Sequence, residues 1–520
     1  MTNPDQSWRP RRNPWLIAVA VMTATFMEVL DTSVANVALP HIAGNLSATT
    51  EEATWVLTSY LVSNAIILPA TGWLAGFFGR KRLLLLCISL FTLASALCGM
   101  AVGLGSLIVA RVFQGAGGGA MLPISQAVLL ESFPPAKRGA AMAAFAMGVV
   151  VAPILGPTLG GWITDNYSWR WIFYINLPVG MAAAFMANWL VEDPPYLRRN
   201  RAADIDATGF ALLALWLGAL QVILDLGQQK DWFASRWIRG LAFVSAVSFI
   251  AFVVRKFRAR HPIVDLRILG NRNFSIGLVL MTLTAGVLYG TTAALPIFLQ
   301  TLMGYPALQS GYAMSPRGIG AFLATFLVGR IVGRIRNRWL MALGFSLLAV
   351  SSFWLGRVQL EMGMSDIIWP SVLNGAAVSF IFVPLTTATM GRLRQEHMGN
   401  ATGLFNLMRN LGGSVGIAAV TTMLERGAQA HQALLVSHLT PYDPAFLQRL
   451  AALQAVLSRH TGPTPALQAH TLIYDQLIQQ ARLWAFVDNF RFFGALCLAC
   501  IPLIFLFKKA PSFVHPTRPR

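Results

Sequence analysis

Charge is scarce in this chain of 520 residues, where Asp, Glu, Lys and Arg together make up only 12%. Soluble domains carry about 25%, so most of this surface faces lipid or other helices rather than water. Acids are scarcest, 21 against 40 basic residues. Cysteine is almost missing: Cys87, Cys98, Cys497 and Cys500 all fall inside apolar runs, where the Cys497-x-x-Cys500 pair reads as packing rather than redox or metal chemistry. His431, His438, His460 and His470 share one segment, but their spacing matches no metal signature. There is no Gly-x-x-x-x-Gly-Lys-[Ser/Thr] phosphate loop, so nucleotide-driven work within the chain is not expected. No Ser, His or Cys set forms a recognisable catalytic group, so an enzyme is not expected. The first apolar run is too long, and too interrupted by acids, for a cleavable signal.

What the chain has is apolar length, 55% hydrophobic residues with a mean hydropathy of +0.58. At about 20 residues per span, the runs predict an all-α integral membrane protein of about fourteen helices. They are expected at 15–39, 54–76, 83–103, 106–130, 139–163, 170–191, 205–225, 236–256, 273–295, 308–330, 339–357, 366–390, 401–424 and 485–507. The net charge of +19 collects in alternate loops, among them Arg80-Lys-Arg82, Arg198-Arg199, Arg255-Lys256 and Arg334 to Arg338. By the positive-inside rule that side is cytoplasmic and both termini lie there. The charge therefore reflects topology, and no nucleic-acid partner is expected.

Two acids, Glu28 and Asp31, interrupt the first run. A carboxylate at that depth costs about 2.5–3.5 kcal/mol or more. Three residues apart, they lie about 60° from each other around a helix and share a face. Asp31 is nine residues from Pro40, about 13 Å into the membrane, and Arg111 is about 8 Å into the fourth run. The two can form an ion pair, and the candidate proton-coupling residues are Asp31, onto which protons are expected to enter from outside, Glu28 assisting it, and Arg111. The competing reading is a permanent pair that locks two helices. Gln114 and Asn36 are candidate polar groups of the same cavity, which Met22, Met27, Trp55, Phe113 and Met147 are expected to line. Arg317 and Arg409 fall inside later runs, and each must find an acid, a helix end or a substrate anion. Gly156 and Gly160 share a helix face that lets another backbone approach, beside Gly161 and the bend-prone Pro153 and Pro157.

The chain echoes itself. Gly72-Trp-Leu-Ala-Gly-Phe-Phe-Gly79-Arg80-Lys-Arg82 resembles Gly329 to Arg338, and Leu122-Pro123 resembles Val383-Pro384. Offsets of 257–261 residues recur, as in transporters built from parallel repeats around a central site. The expected organisation is a tail 1–14, a six-helix bundle 15–191, an inserted helix pair 205–256, a second bundle 273–507 and a tail 508–520. Residues 425–484 are expected as a long outer loop with short amphipathic helices, since Leu447, Leu450, Leu453 and Leu457 keep helical spacing.

Four stretches resemble the major facilitator superfamily, specifically fourteen-span drug/proton antiporters of the EmrB/QacA type, nearer the former. They are Leu30 to Pro40 in the first run, the Gly72 to Arg82 loop, Leu107 to Gly117 in the fourth run, and Gly148 to Gly161 in the fifth. The chain departs from the loop motif at Gly76 and Gly333, where that motif carries an aspartate. The resemblance implies a gating role for Gly72, Gly79 and Arg80, and a secondary transporter driven by the proton-motive force without a cofactor. It implies export of amphipathic small molecules such as drugs by alternating access, from the bacterial inner membrane. A periplasmic adaptor and an outer-membrane channel are implied partners, with membrane lipid around the chain. An exporter of one physiological solute, or a non-transporting sensor or scaffold, are the alternatives.

Overall fold

In lipid each backbone N–H and C=O must be satisfied within the segment itself, so the apolar runs fold as helices. The structure, a computed structural model, describes residues 10–134, 137–194, 206–258, 263–332, 334–391, 393, 397–458 and 465–507. Its long helices are α1 (Pro14–Asn45), α2 (Trp55–Phe78), α3 (Arg80–Gly99), α4 (Leu104–Ser132), α5 (Arg138–Asn166), α6 (Asn176–Leu190) and α7 (Ala207–Leu226). They continue with α8 (Arg236–Arg258), α9 (Arg272–Thr301), α10 (Pro316–Ile331), α11 (Asn337–Leu355), α12 (Ser365–Met390), α13 (Met398–Val436) and α14 (Pro465–Phe505).

Among the described residues, 12 helices are long and apolar enough to cross a membrane, so the expected count of fourteen spans is not established. The two outside that set have physical reasons. The run expected at 308–330 breaks at Ser315, and α10 restarts with Pro316 at its first position, leaving 16 residues. α13 carries Asn406, Arg409 and Asn410 through its apolar stretch.

Packing repeats with a period of eight helices. α1 packs on α4, α5 and α6, α2 on α4, and α3 on α4 and α6; likewise α9 packs on α12, α13 and α14, α10 on α12, and α11 on α12 and α14. The two sets meet along two seams that are images of each other, α2 against α13 and α5 against α10. α7 and α8 pair together, and α7 lies on α2 and α13 at only one of the seams. There Gln221 Nε2 donates to Ser414 Oγ at 2.7 Å and Trp232 Nε1 to Thr422 Oγ1 at 3.1 Å.

The seams close tightly at the end that carries the Arg80 loop. A Cβ added at Gly72 would sit 2.6 Å from Asn400 Cα, one at Gly403 2.7 Å from the Leu68 carbonyl, and one at Gly329 3.1 Å from Ala143 Cβ. Asn406 Nδ2 donates to the buried Gln126 Oε1 across the same seam region at 2.7 Å.

The segment 425–484 differs from the expected loop. α13 runs on to Val436, a separate helix spans Pro444–Leu457, and α14 begins at Pro465. The leucine spacing does mark a helix there, capped by Asp443, which accepts from the Ala445 amide at 2.9 Å. Polar helical turns leaving a membrane lack the apolar run that betrays them in sequence, so they read as loop. His460 and Gly333 lie outside the described residues.

Candidate functional site

Asp31 lies near the midpoint of α1, facing α4, and is held from three sides. Arg111 Nη1 of α4 donates to Asp31 Oδ2 at 2.6 Å, while Gln114 Nε2 and Asn176 Nδ2 donate to Oδ1 at 2.9 and 2.7 Å. Arg111 and Gln114 are one turn apart on α4, so both reach the same acid, and Arg111 Nη1 also donates to Gln114 Oε1 at 2.7 Å. Arg111 Nε donates to the Val56 carbonyl at 3.0 Å, and its guanidinium stands 4.3 Å over the Tyr60 ring. Asn176 is fixed in turn by Ser95 at 3.0 Å, whose hydroxyl donates to the Phe173 carbonyl at 2.8 Å. Both Asp31 oxygens thus accept, and every donor around them is itself anchored. The centre is buried, with Arg111 and Gln114 at 0% exposure and Asp31 at 3%.

Glu28, one turn earlier, is held differently. Asn64 Nδ2 of α2 donates to its Oε1 at 3.1 Å, and Oε2 has no hydrogen-bond partner among the described residues. Its room comes from Gly118 on α4: a Cβ there would meet the Tyr60 hydroxyl at 2.7 Å, Asn64 Nδ2 at 3.3 Å and Glu28 Cγ at 3.4 Å. Glycines near Arg111 therefore make space for a polar pocket as well as for close backbone packing. The charged groups that act on Glu28 through space are Arg409, from α13, and Asp31.

The remaining expected residues scatter. Asn36 is exposed on α1 and joins neither acid. Arg409 is half-buried and makes no hydrogen bond or ion pair among the described residues. Arg317 donates from Nη1 to Thr292 Oγ1 at 2.5 Å, inside the second half. Of the apolar lining, Met27 is buried, Trp55 turns outward to pack edge-on against Trp237 of α8 at 6.4 Å, and Phe113 is 52% exposed. Phe113 is two residues from Arg111 and so projects from another side of α4.

At the loop end, Gly79 has φ +84°, the left-handed region that favours glycine, and a Cβ there would meet Asp193 Oδ2 at 2.6 Å. Asp193 caps the start of α3 by accepting from the Lys81 amide at 2.8 Å. Arg80 is buried against Glu131 near the end of α4, in an ion pair across the bundle. On α5, a Cβ at Gly156 would run into Ser33 of α1 and one at Gly160 would sit 3.0 Å from Val34 Cγ1. Gly161 is not under that constraint, since a Cβ would rest 4.0 Å from Val37. Pro157 lies in α5, and its side chain is outside the described set.

Sequence reasoning missed Asn64, Ser95, Asn176 and Glu131. Single amides and hydroxyls in apolar helices carry no periodic signal, but Glu131 is an acid ending an apolar run and could have been paired with the basic loop. It also passed over Gly412 and Gly416, whose spacing matches Gly156 and Gly160. A Cβ at either would strike the backbone of α9.

The family profile described as Major Facilitator Superfamily matches residues 21–417. The chain is 42% identical over 433 residues to a "Multidrug export protein EmrB" of Haemophilus influenzae, covering 82% of this chain and 84% of that protein. It is 38% identical over 496 residues to the "Fatty acid resistance protein FarB" of Neisseria gonorrhoeae, covering 95% and 96%. Among solved structures, the human organic anion transporter MFSD10 superposes with a TM-score of 0.63 at 12% identity, covering 95% of this chain and 100% of that one. The proton:xylose symporter XylE gives 0.62 at 13% identity, covering 95% of each. At such identities the two structures speak for the fold alone.

Proposed function

The chain belongs to the major facilitator superfamily, and from that premise we propose that it exports amphipathic small molecules in exchange for protons, with Glu28 as the proton-exchanging group. It is a multi-pass membrane protein of transporter fold and not an enzyme. The relatives named for multidrug export and fatty acid resistance support export of amphiphiles.

The observation that carries the coupling site is the contrast between the two acids of α1. Asp31 accepts three anchored hydrogen bonds, and taking up a proton there means dismantling them. Glu28 has an oxygen with no partner, so a proton can settle on it without breaking a bond. Asp31 and Arg111 then act as a fixed pin between α1 and α4, and Glu28 is the mobile charge. We assign Arg409, the half-buried cation of α13 that acts on Glu28, to the path of the incoming substrate, so that substrate and proton alter Glu28's surroundings in turn. Export follows if a proton enters Glu28 from outside and leaves it inward as the halves rock. The bundles 15–191 and 273–507, with 205–256 as an accessory pair, are the units we assign to that rocking. We place the Arg80 loop in the cytoplasm on the positive-inside rule, in an inner membrane, which makes the closed seam end the inner one. A periplasmic adaptor and outer-membrane channel would dock on the opposite side, near Pro444–Leu457.

Reconstitution into liposomes with an entrapped pH dye tests the transport reading. Adding a lipophilic substrate to wild type should trigger a proton flux that a protonophore collapses. Absence of any flux across a panel of amphiphiles would overturn it.

A further inference from the structure

A small cavity lies between α9, α10, α11 and α12, lined by Thr291, Leu295, Arg317, Leu355, Ser371 and Asn374 among others. A shift of 260 residues carries Asp31 onto Thr291, Ser95 onto Leu355, Arg111 onto Ser371 and Gln114 onto Asn374. The helices bearing each pair are those whose packing repeats, α1 with α9, α3 with α11 and α4 with α12. The cavity is therefore the second half's image of the Asp31 centre.

Its chemistry is altered in one respect. The acid is gone, replaced by Thr291, yet a cation remains. It comes from α10 as Arg317, one position past the image of Val56, whose carbonyl binds Arg111 in the first half. Arg317 forms no ion pair among the described residues. Its Nη2, Ser371 Oγ and Asn374 Oδ1 have no hydrogen-bond partners there, and Ser371 and Asn374 are each only 3% exposed. Arg317 is half-buried with its Nη2 atom enclosed, and a cationic donor enclosed beside unpartnered polar atoms is costly without an anion to bind.

We propose that this cavity receives the carboxylate of an amphipathic substrate, in the place that the Asp31 side chain occupies in the other half. Arg317 Nη2 and the Ser371 hydroxyl donate to the carboxylate. The Asn374 amide, turned about its last torsion, donates as Gln114 does to Asp31. The assignment rests on the exporter reading and adds a substrate class, carboxylate-bearing amphiphiles, to it.

The test measures binding of decanoate, and of tetraphenylphosphonium as a cationic control, to the full-length protein in lipid nanodiscs. Arg317→Gln should weaken decanoate binding about tenfold or more and leave the cation's affinity unchanged. Thr291→Asp supplies the acid that the repeat lacks; it should abolish decanoate binding while holding or raising the melting temperature. Decanoate affinity unaltered in both variants would mean that the cavity holds water only, and would overturn the proposal. So would an equal loss of both ligands in Arg317→Gln with an unchanged melting temperature. Proton-coupled transport of tetraphenylphosphonium by the same variants reconstituted into liposomes reports on the transport reading alone. Its presence beside unaltered decanoate binding overturns the subsite and leaves the exporter standing.

Discussion

Asp31 and Glu28 lie one turn apart on α1, yet the first is clamped by three donors and the second by one. Removing one member of a buried ion pair leaves the other charge uncompensated, at about 3–5 kcal/mol. Asp31→Asn is therefore expected to lower thermal stability in detergent markedly, as is Arg111→Gln. The double variant should cost less than the two single losses together, because it leaves no unpaired charge. Additive losses in scanning calorimetry would mean that the pair is not coupled. The acids and Arg111 were legible in the sequence because charge inside an apolar run is rare, and their similar depths anticipated the ion pair. The amides that decide how each acid behaves, Asn64, Gln114 and Asn176, were legible only in part. Gln114 stood one turn from Arg111, while Asn64 and Asn176 come from helices whose facing no single run reveals.

At the scale of helices, the contact of α1 with α5 depends on missing side chains. Gly156 faces Ser33 and Gly160 faces Val34, and Ser33 Oγ donates to the Pro153 carbonyl at 3.1 Å. Gly156→Val should force the two helices apart and reduce both folding yield and transport, whereas Gly161→Ala should leave both near wild type. Expression yield with transport assays on the two variants checks this, and equal behaviour would contradict it. The glycine spacing made the α5 contact readable in advance, and the same spacing at Gly412 and Gly416 marks its image in α13 against α9. The polar extension of α13 was not readable, since hydropathy reports where lipid is and not where a helix stops, whereas the helical spacing of Ile473, Leu477 and Ile478 marked part of the extension of α14. The break at Ser315–Pro316 was visible as a proline but not as a shortened helix.

For the whole molecule, transport by alternating access requires the closed end to open. Gly329 of α10 and Ala143 of α5 meet across one seam, with an added Cβ 3.1 Å from Ala143 Cβ. That is near the Cβ separation of about 3.5–4.5 Å that a disulfide spans. In a background without the four native cysteines, Ala143→Cys with Gly329→Cys should cross-link on oxidation and stop transport, and reduction should restore it. Full transport by the cross-linked protein would contradict rocking about these seams. The repeat behind this picture was faintly visible in the loops and in recurring offsets. Its full extent shows only in the packing of six helices that recurs in the second half, because apolar helices tolerate many substitutions that preserve contacts but erase likeness. The central claim, that Glu28 exchanges the proton while Asp31 stays pinned, is most directly tested by counting protons. Purified protein in weakly buffered solution is titrated with a transported substrate, and the pH change is read. Wild type and Asp31→Asn should exchange protons on binding, and Glu28→Gln should not. Proton exchange that persists in Glu28→Gln would contradict the account.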